Sequence, residues 1–389
     1  MIELPGIVYI SILALSFISF VIAIYNLKFL SSLNSFGTNS DPLTTKPIVS
    51  ILVPARNEEG NILKCLQSLV DQNYDPLEIL ALDDRSTDET ARIIKELAAS
   101  SPKIRSLEGT PLPKGWIGKN WACHQLSKEA KGELLLFVDA DTILSQGSVL
   151  AAVKAYEKKS VDLLTIIPHR NASCLTERLM FPFTDWALFC WIPMKFAHRI
   201  QTPHLSATFG QFMLFNATSY RKIGGHEGIF DNPLDDFSLG RLIMKQGLTW
   251  ALIGGSTDIS VLPYKGNVDA FKAVSRSVFP ALYYRISTLL ILSFVILLLG
   301  VFPPLILAVS AIMYPENNDF SLILAASTAL VSATWFMVCR KFKHRVLMVP
   351  FYPISMSLMV LAAFHSLFTH GLGTTTWKDR KVSKAKIRL

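Results

Sequence analysis

Long apolar runs at both ends of the chain enclose a middle part in which short apolar runs alternate with polar loops. Ile7–Tyr25 carries no charged residue and is long enough for the roughly 20 residues that cross a bilayer. Three further apolar stretches follow at Ile286–Met313, Phe320–Cys339 and Val346–His370. The pattern predicts an N-terminal membrane anchor over residues 1–30, a soluble domain over 31–285 and C-terminal membrane segments over 286–370.

In the middle part, apolar runs of strand length alternate with stretches of helical spacing. The strand-like runs are Ile48–Val53, Glu78–Leu82, Lys103–Leu107 and Leu134–Val138. Ser86 and Glu89 have the spacing of a capping box that opens a helix. The β-α-β-α order predicts an α/β fold with a doubly wound, mostly parallel sheet, whose site lies at the carboxyl ends of the strands.

Polar loops follow three of these strands directly. They are Pro54–Glu58, Asp83-Asp84 and Asp139–Asp141. Any one of them alone is typical of a solvated turn, but three at one edge of a sheet predict a binding site. Because no glycine-rich phosphate loop follows a strand, we expect a divalent cation held by carboxylates to neutralise the phosphates of a bound nucleotide.

Composition and charge favour a membrane protein over a nucleic-acid-binding protein. The chain of 389 residues is 50% hydrophobic and has a formal net charge of +8. Six basic residues lie between Lys378 and Arg388, within a tail over residues 371–389. A basic tail beside apolar segments is typical of contact with an anionic cytoplasmic leaflet, whereas nucleic-acid binding would call for a recognition motif that the chain lacks. The five cysteines show no spacing typical of a metal site.

The loops between the apolar segments predict orientation. The loop 340–345 is strongly basic, and the loop 315–319 has no basic residue. The positive-inside rule then puts loop 340–345 and the soluble domain in the cytoplasm, in a multi-pass protein of the plasma membrane. If Val346–His370 spans the bilayer, the basic tail emerges on the other side. A re-entrant or interfacial element would return the tail to the cytoplasm, and we favour this interpretation.

An aromatic segment interrupts the soluble domain at residues 180–197. It has six Phe and Trp residues with basic residues at its flanks, which favours an amphipathic helix in the membrane interface. A buried core helix is the alternative.

Several motifs in the middle of the chain occur together in one known family. They are Val53–Glu59, Leu82–Asp88, Gly115–Ala122, Val138–Asp141, Ile223–His226 and Asp235–Gly240. On these motifs the chain resembles the membrane-anchored, inverting glycosyltransferases of family 2, which have the GT-A fold. Gly115–Ala122 is most similar to the hopanoid-associated and carotenoid (diaponeurosporenoate-type) glycosyltransferases.

The resemblance implies a role for each matching residue. It implies that a UDP-sugar is held by Pro54, Ala55, Arg56, Asn57, Glu58, Asp83, Asp84, Lys119 and Asp139. Asp139 and Asp141 correspond to the pair that binds Mg²⁺ or Mn²⁺ together with the diphosphate. Asp236 corresponds to the general base, with Asp235 beside it as the alternative. Both acids could instead only open a helix near Phe237, and Arg56 could only form a structural salt bridge.

One departure from the family concerns chain length of the product. Processive members carry Gln-x-x-Arg-Trp before the C-terminal spans, but residues 273–279 keep only Arg276 of this element. We therefore expect transfer of a single sugar to a lipid acceptor, such as a carotenoid, a hopanoid or a glycerolipid. A processive polysaccharide synthase and a non-catalytic membrane scaffold are the alternatives.

Overall fold

An eight-stranded mixed sheet forms the centre of the computed structural model, which describes residues 6–38, 43–313, 320–378, 380–381 and 387–388. Along the sheet the strands lie in the order β3-β2-β1-β4-β7-β6-β8-β5. They are β1 Val49–Ala55, β2 Leu77–Asp83, β3 Ile104–Glu108, β4 Leu134–Val138, β5 Thr142–Leu144, β6 Leu163–Arg170, β7 Phe212–Asn216 and β8 Trp250–Val261.

Helices connect the strands and extend beyond the sheet. Those of the α/β part are α2 Asn34–Gly37, α3 Ile62–Val70, α4 Thr90–Ser100, α5 Gly118–Glu129, α6 Ser148–Lys159, α7 Leu175–Trp191, α8 Met194–Ile200, α9 Ala217–Lys222, α10 Asp235–Lys245 and α11 Asn267–Ala281. The strongly apolar helices are α1 Gly6–Phe29, α12 Ile286–Gly300, α13 Phe302–Met313, α14 Ser321–Lys341 and α15 Tyr352–Leu372.

The first four strands run parallel, as the β-α-β-α pattern predicts. Ala55 at the end of β1 pairs with Asp83 at the end of β2, and β4 runs beside β1 in the same direction. β7 then enters antiparallel between β4 and β6. Because the parallel strands end at one edge, the loops after β1, β2 and β4 lie side by side.

Each face of the sheet has its own apolar core. One core lies between the sheet and α3, α4 and α6, and it includes Ile51, Leu66 and Val153. The other joins the opposite face to α5 and α7 and continues into the strongly apolar helices, through residues such as Trp186 and Trp335. The apolar helices are therefore packed against the α/β part through a continuous core rather than through a flexible linker.

The start of α4 differs from the prediction. Ser86 and Glu89 do not form the predicted capping box, because the helix begins only at Thr90. The Ser86 hydroxyl instead accepts a hydrogen bond from the backbone N–H of Asn57, and Asp88 accepts bonds from Thr90. The stretch 84–89 is thus an ordered loop that is bound to the loop after β1.

Within the described residues, three apolar helical segments are long enough to cross a bilayer, judged by length and composition. They are Gly6–Phe29, Ser321–Lys341 and Val346–Leu372. The predicted segment Ile286–Met313 is divided into α12 and α13, with a bend of 42° between them. The predicted loop 315–319 lies outside the described residues.

Both ends of the last apolar segment lead back to the α/β part. Before it, His344 lies 2.7 Å from the carboxylate of Asp185 on α7. Near its end, His365 is 2.6 Å from Ser275 on α11, and the backbone after it reaches the loops at the end of the sheet.

The aromatic segment 180–197 forms most of α7 and the start of α8. Asn26 of α1 fixes the junction between these helices, since its side chain donates to the carbonyls of Phe189 and Ile192 and accepts from the N–H of Met194. Trp186 is buried and donates from Nε1 to Thr334 of α14. Its aromatic face is thus covered by other helices of the chain, and a position in the membrane interface stays a prediction.

Candidate active site

The loops after β1 and β2 are joined into one unit by hydrogen bonds. The N–H of Asp84 donates to the carbonyl of Ala55, and the N–H of Glu58 donates to Thr90. Asn57 has a φ of 51° and accepts from the N–H of Thr87 through its side-chain oxygen. The structure therefore brings together the first group of sequence-predicted donor residues, Pro54 to Glu58 with Asp83 and Asp84.

Arg56 acts on the backbone of these loops. Its Nη1 donates to the carbonyls of Asp84 and Arg85, at 2.7 and 2.6 Å. Arg85 has a φ of 57°, and the guanidinium caps the carbonyls around this tight turn. The contacts of Arg56 thus include no carboxylate among the described ion pairs, which removes the salt bridge that the sequence left open.

Lys119 connects two candidate groups that are far apart in sequence. Its Nζ lies 2.8 Å from Oδ1 of Asp139, just after β4, and 3.0 Å from Oδ2 of Asp235, at the start of α10. The side chain of Asn120 donates to the carbonyls of Ile229 and Asn232, which fastens α5 to the segment before α10. This fastening is the local reason why Lys119 reaches both acids.

Asp236 is held on the other side of the same cluster. Its Oδ1 accepts from the N–H of Phe237 and its Oδ2 from the N–H of Gly210 at 3.2 Å. A Cβ at Gly210 would lie 3.4 Å from Nζ of Lys119 and 3.5 Å from Cβ of Asp236. Glycine therefore leaves open the space between the lysine and this carboxylate. Both acids also lie in the first turn of α10, as the sequence allowed.

Burial and charge separate the two neighbouring acids. Burial alone would raise the pKa of Asp235, but the Lys119 ammonium holds it below its ordinary value. Burial, together with the negative charge of Asp235, raises the pKa of Asp236 to about 7. Asp235 is thus a permanent ion-pair partner, whereas Asp236 exchanges its proton near neutral pH and has the properties of a general base.

His226 lies beneath this cluster and is almost fully buried. Its Nδ1 is 2.7 Å from the hydroxyl of Tyr220, and its Nε2 is 4.0 Å from Asp235. Burial lowers the pKa of His226 to about 3, so the imidazole is neutral at physiological pH. It therefore adds no positive charge to the cluster, and its Nε2 lies beyond hydrogen-bonding distance of Asp235.

Asp139 and Asp141 provide oxygen ligands of the type that hard cations prefer. Burial, with the charges of Asp139 and Glu58, raises the pKa of Asp141 to about 7, and none of the described ion pairs involves Asp141. The Lys119 ammonium forms an ion pair with Asp139, which indicates that the surroundings of this carboxylate stabilise positive charge. Two carboxylates fit Mg²⁺ or Mn²⁺ when diphosphate and water complete the ligands. Among the described residues, no group of three or more His, Cys, Asp or Glu forms a metal site.

Two tail residues that the sequence analysis assigned to the membrane surface lie at this site instead. Lys378 has its Nζ 2.9 Å from Oε1 of Glu58, and Arg380 has its Nη1 2.5 Å from Oδ2 of Asp84. No local pattern could have pointed to this, because the contacts join residues about 300 positions apart. Of the other basic tail residues, Lys384 and Lys386 lie outside the described residues. The side chain of Arg276 donates to the backbone carbonyl of Thr376 in the tail.

A family model decides the identity of this part of the chain. Residues 50–224 match the model described as glycosyl transferase family 2. Residues 50–224 form a family 2 glycosyltransferase domain. The match includes the loops after β1, β2 and β4 as well as Lys119, and it ends before Asp235 and Asp236.

Curated relatives resemble the family 2 domain and its surroundings. The 4,4'-diaponeurosporenoate glycosyltransferase of Staphylococcus haemolyticus (strain JCSC1435) is 28% identical over 243 residues, which are 62% of each protein. That of Staphylococcus aureus (strain NCTC 8325 / PS 47) is 28% identical over 224 residues, or 56% of each. The matched region thus spans less than two thirds of these relatives.

Solved structures confirm the fold of the family 2 domain. A mannosyltransferase from Pyrobaculum calidifontis, PcManGT, solved in complex with GDP-Man and Mn²⁺, aligns with a TM-score of 0.53 at 17% identity. The alignment covers 93% of this chain and 98% of that one. The predicted α/β fold of GT-A type, accompanied by apolar N-terminal and C-terminal helices, is therefore confirmed.

Proposed function

We propose that the protein is an inverting glycosyltransferase that moves one sugar from a UDP-sugar to a lipid acceptor at the cytoplasmic face of the membrane. The observation that carries this proposal is the bridge from Asp139 through Lys119 to Asp235. It joins the donor end of the sheet to the start of α10, where Asp236, the candidate base, follows Asp235 directly. The names of the Staphylococcus relatives support a lipid-like acceptor, since they are 4,4'-diaponeurosporenoate glycosyltransferases.

In the proposed donor site, the joined loops after β1 and β2 hold the nucleotide. Pro54 to Glu58 and Asp83-Asp84 form the wall for the base and the ribose. Asp139 and Asp141 would hold Mg²⁺ or Mn²⁺, which stabilises the negative charge on the leaving diphosphate. The complex of PcManGT with GDP-Man and Mn²⁺ supports a nucleotide-sugar donor and a divalent cation in a protein of the same fold.

In the proposed reaction, Asp236 takes the proton of the acceptor hydroxyl as its oxygen attacks the anomeric carbon. The bond from that carbon to the diphosphate breaks on the opposite side, which inverts the anomeric configuration without a protein nucleophile. The raised pKa of Asp236 matches this role, because a general base is most effective when its pKa lies near the working pH. Lys119 stays protonated and holds Asp235 beside the base.

The membrane arrangement is part of the proposal. Residues 1–30 anchor the protein, residues 31–285 form the cytoplasmic catalytic domain and residues 286–370 form the C-terminal membrane segments. The contacts of α7 with α1 and α14 support an acceptor that arrives from the bilayer. The contacts at both ends of Val346–Leu372 support a re-entrant or interfacial element rather than a span.

The proposal is tested with purified protein, a UDP-sugar, Mn²⁺ and a lipid extract, with mass spectrometry of the lipids for an added hexose. We expect Asp139→Ala to abolish transfer and to weaken metal-dependent UDP binding. Asp236→Asn should reduce transfer by about 10²-fold or more and leave UDP binding near normal. Unchanged turnover in either variant would remove the corresponding role, and products with several sugars would favour a processive synthase.

A further inference from the structure

The chain after α15 folds back across the loops that we assign to the donor. Thr376–Trp377 and Arg380–Lys381 pair as two short antiparallel strands, which we call the tail hairpin. Gly373, with a φ of 67°, ends α15 and turns the backbone toward the sheet. The hairpin therefore has a defined conformation at the end of the sheet, not that of a free basic tail.

Arg380 grips Asp84 with two nitrogens. Nη1 lies 2.5 Å from Oδ2, and Nη2 lies 3.2 Å from Oδ1 and 3.3 Å from the backbone carbonyl of the same residue. Such a two-point guanidinium–carboxylate contact fixes orientation as well as charge. Asp84 is only 1% exposed, so its carboxylate has been moved out of water, and the arginine offsets that cost.

Lys378 makes a parallel contact with the neighbouring loop. Its Nζ lies 2.9 Å from Oε1 of Glu58 and donates to the carbonyl of Asn57 at 2.9 Å. Arg56 completes the connection, since its Nε donates to the carbonyl of Lys378. The hairpin and the two donor loops thus hold one another in place through side chains from both sides.

The charge balance of the site indicates whether the tail hairpin strengthens or weakens binding of the donor. Seven of the candidate site residues are carboxylates, namely Glu58, Asp83, Asp84, Asp139, Asp141, Asp235 and Asp236. Lys119 and Arg56 are the candidate cations of the family 2 domain. A nucleoside diphosphate that approaches such a surface is repelled unless further positive charge is present. The tail hairpin supplies two more cations next to the donor loops.

We propose that Lys378 and Arg380 are positioning residues of the donor site, which orient Glu58 and Asp84 and lower the negative charge that the nucleoside diphosphate meets. This inference rests on the proposed function. The opposite arrangement, in which the hairpin blocks the donor, predicts that its removal strengthens donor binding. The two arrangements therefore differ in the direction of the change in KM.

Arg380→Ala and Lys378→Ala test the inference in the full-length protein. We expect the KM for the UDP-sugar to rise about tenfold or more for Arg380→Ala, as the loss of a charged hydrogen bond implies. We expect kcat and the KM for the acceptor to stay within about threefold. Arg380→Lys, which keeps the charge but not the two-point contact, should give an intermediate KM and serves if the alanine variant does not fold.

Arg388→Ala is the matched control. It removes a positive charge from the same tail, and the side chain is exposed while its backbone bonds to Tyr284 and Ile286 remain. Its donor KM should equal that of the unmodified protein. An unchanged or lowered donor KM in Arg380→Ala or Arg380→Lys would overturn the inference, and so would a loss confined to kcat.

Binding of UDP, measured by calorimetry with Mn²⁺ present, separates the two proposals. If the unmodified protein neither binds UDP nor transfers sugar, the proposed function fails. If it does both and the hairpin variants bind UDP equally well, only the role of the hairpin fails. The positioning role is supported if Arg380→Ala binds UDP more weakly than Arg388→Ala while the two variants have the same melting temperature.

Discussion

Nζ of Lys119 lies 3.0 Å from Oδ2 of Asp235, although the two residues belong to the starts of different helices. Burial would lower the pKa of Lys119, but Asp139 and Asp235 raise it well above the ordinary value. The ammonium is therefore permanently charged and joins the end of β4 to the start of α10, which are the proposed donor and base sides of the site.

Lys119→Met should accordingly reduce kcat/KM by about 10²-fold or more, because it leaves two partly buried acids without their cation. Initial rates at several donor concentrations measure this change. Lys114→Met is the control, since Lys114 is exposed four residues before the start of α5 and lies outside the ion pairs that join Lys119 to Asp139 and Asp235. Equal activity of the two variants would contradict the bridging role of Lys119.

The rate of transfer should rise with pH across neutrality. Asp236 must be deprotonated to accept the proton of the acceptor, and burial with the charge of Asp235 raises its pKa to about 7. Below that pH the acid form dominates and the rate falls tenfold per pH unit; above it the rate levels off. Measurement of kcat from pH 5 to 9 should give a midpoint of about 7. A midpoint near 4 would assign the base role elsewhere.

Asp185 of α7 should be needed for stability. It is 1% exposed and paired with Arg170 and His344, which join β6 and the loop before Val346–Leu372 to α7. Asp185→Ala removes the carboxylate that pairs with the partly buried Arg170 and with His344, and breaking a pair with a buried member costs about 3–5 kcal/mol. The melting temperature in detergent should fall by several degrees, whereas Asp71→Ala at an exposed position should not change it. Equal melting temperatures would refute the importance of this network.

Thiol labelling in intact cells tests the proposed topology. Four of the five native cysteines are buried, so the unmodified protein should be labelled weakly and single added cysteines can be detected. We expect a membrane-impermeant reagent to label Asn317→Cys from outside but not Arg388→Cys or Thr45→Cys. The reason is that the tail contacts the loops after β1 and β2, so it lies on the same side of the membrane as the proposed cytoplasmic domain. Labelling of Arg388→Cys from outside would mean that Val346–Leu372 spans the bilayer.

The sheet edge could be predicted because apolar runs define where strands end. β4 is buried along its whole length, so the break at Asp139 is visible in the sequence as well as in the structure. The same logic placed Asp83-Asp84 beside the loop after β1, and the register of β1 and β2 confirms this neighbourhood. The individual roles of the residues at this edge of the sheet could be predicted only from the resemblance to family 2.

Other features could not be predicted, because they depend on long-range packing. The approach of Lys119 to Asp235 depends on Asn120 and the carbonyls of residues 229–232, which no periodic pattern reveals. Lys378 and Arg380 have the composition of a membrane-surface tail, and composition does not report a return to the sheet. Likewise, the aromatic residues of α7 are consistent with both a membrane interface and a buried core, and only the residues packed around them distinguish the two.

The ion pair between Asp84 and Arg380 closes a loop of the chain that contains all of the helices α12 to α15. A chain interrupted anywhere between residues 286 and 377 keeps its complete sheet and the acids at its edge, yet lacks both hairpin cations. Packing of the apolar helices is thereby linked to the charge at the proposed donor loops. A free catalytic domain, cut away from its helices, would then be a poorer enzyme for an electrostatic reason and not merely because it has lost contact with the proposed lipid acceptor.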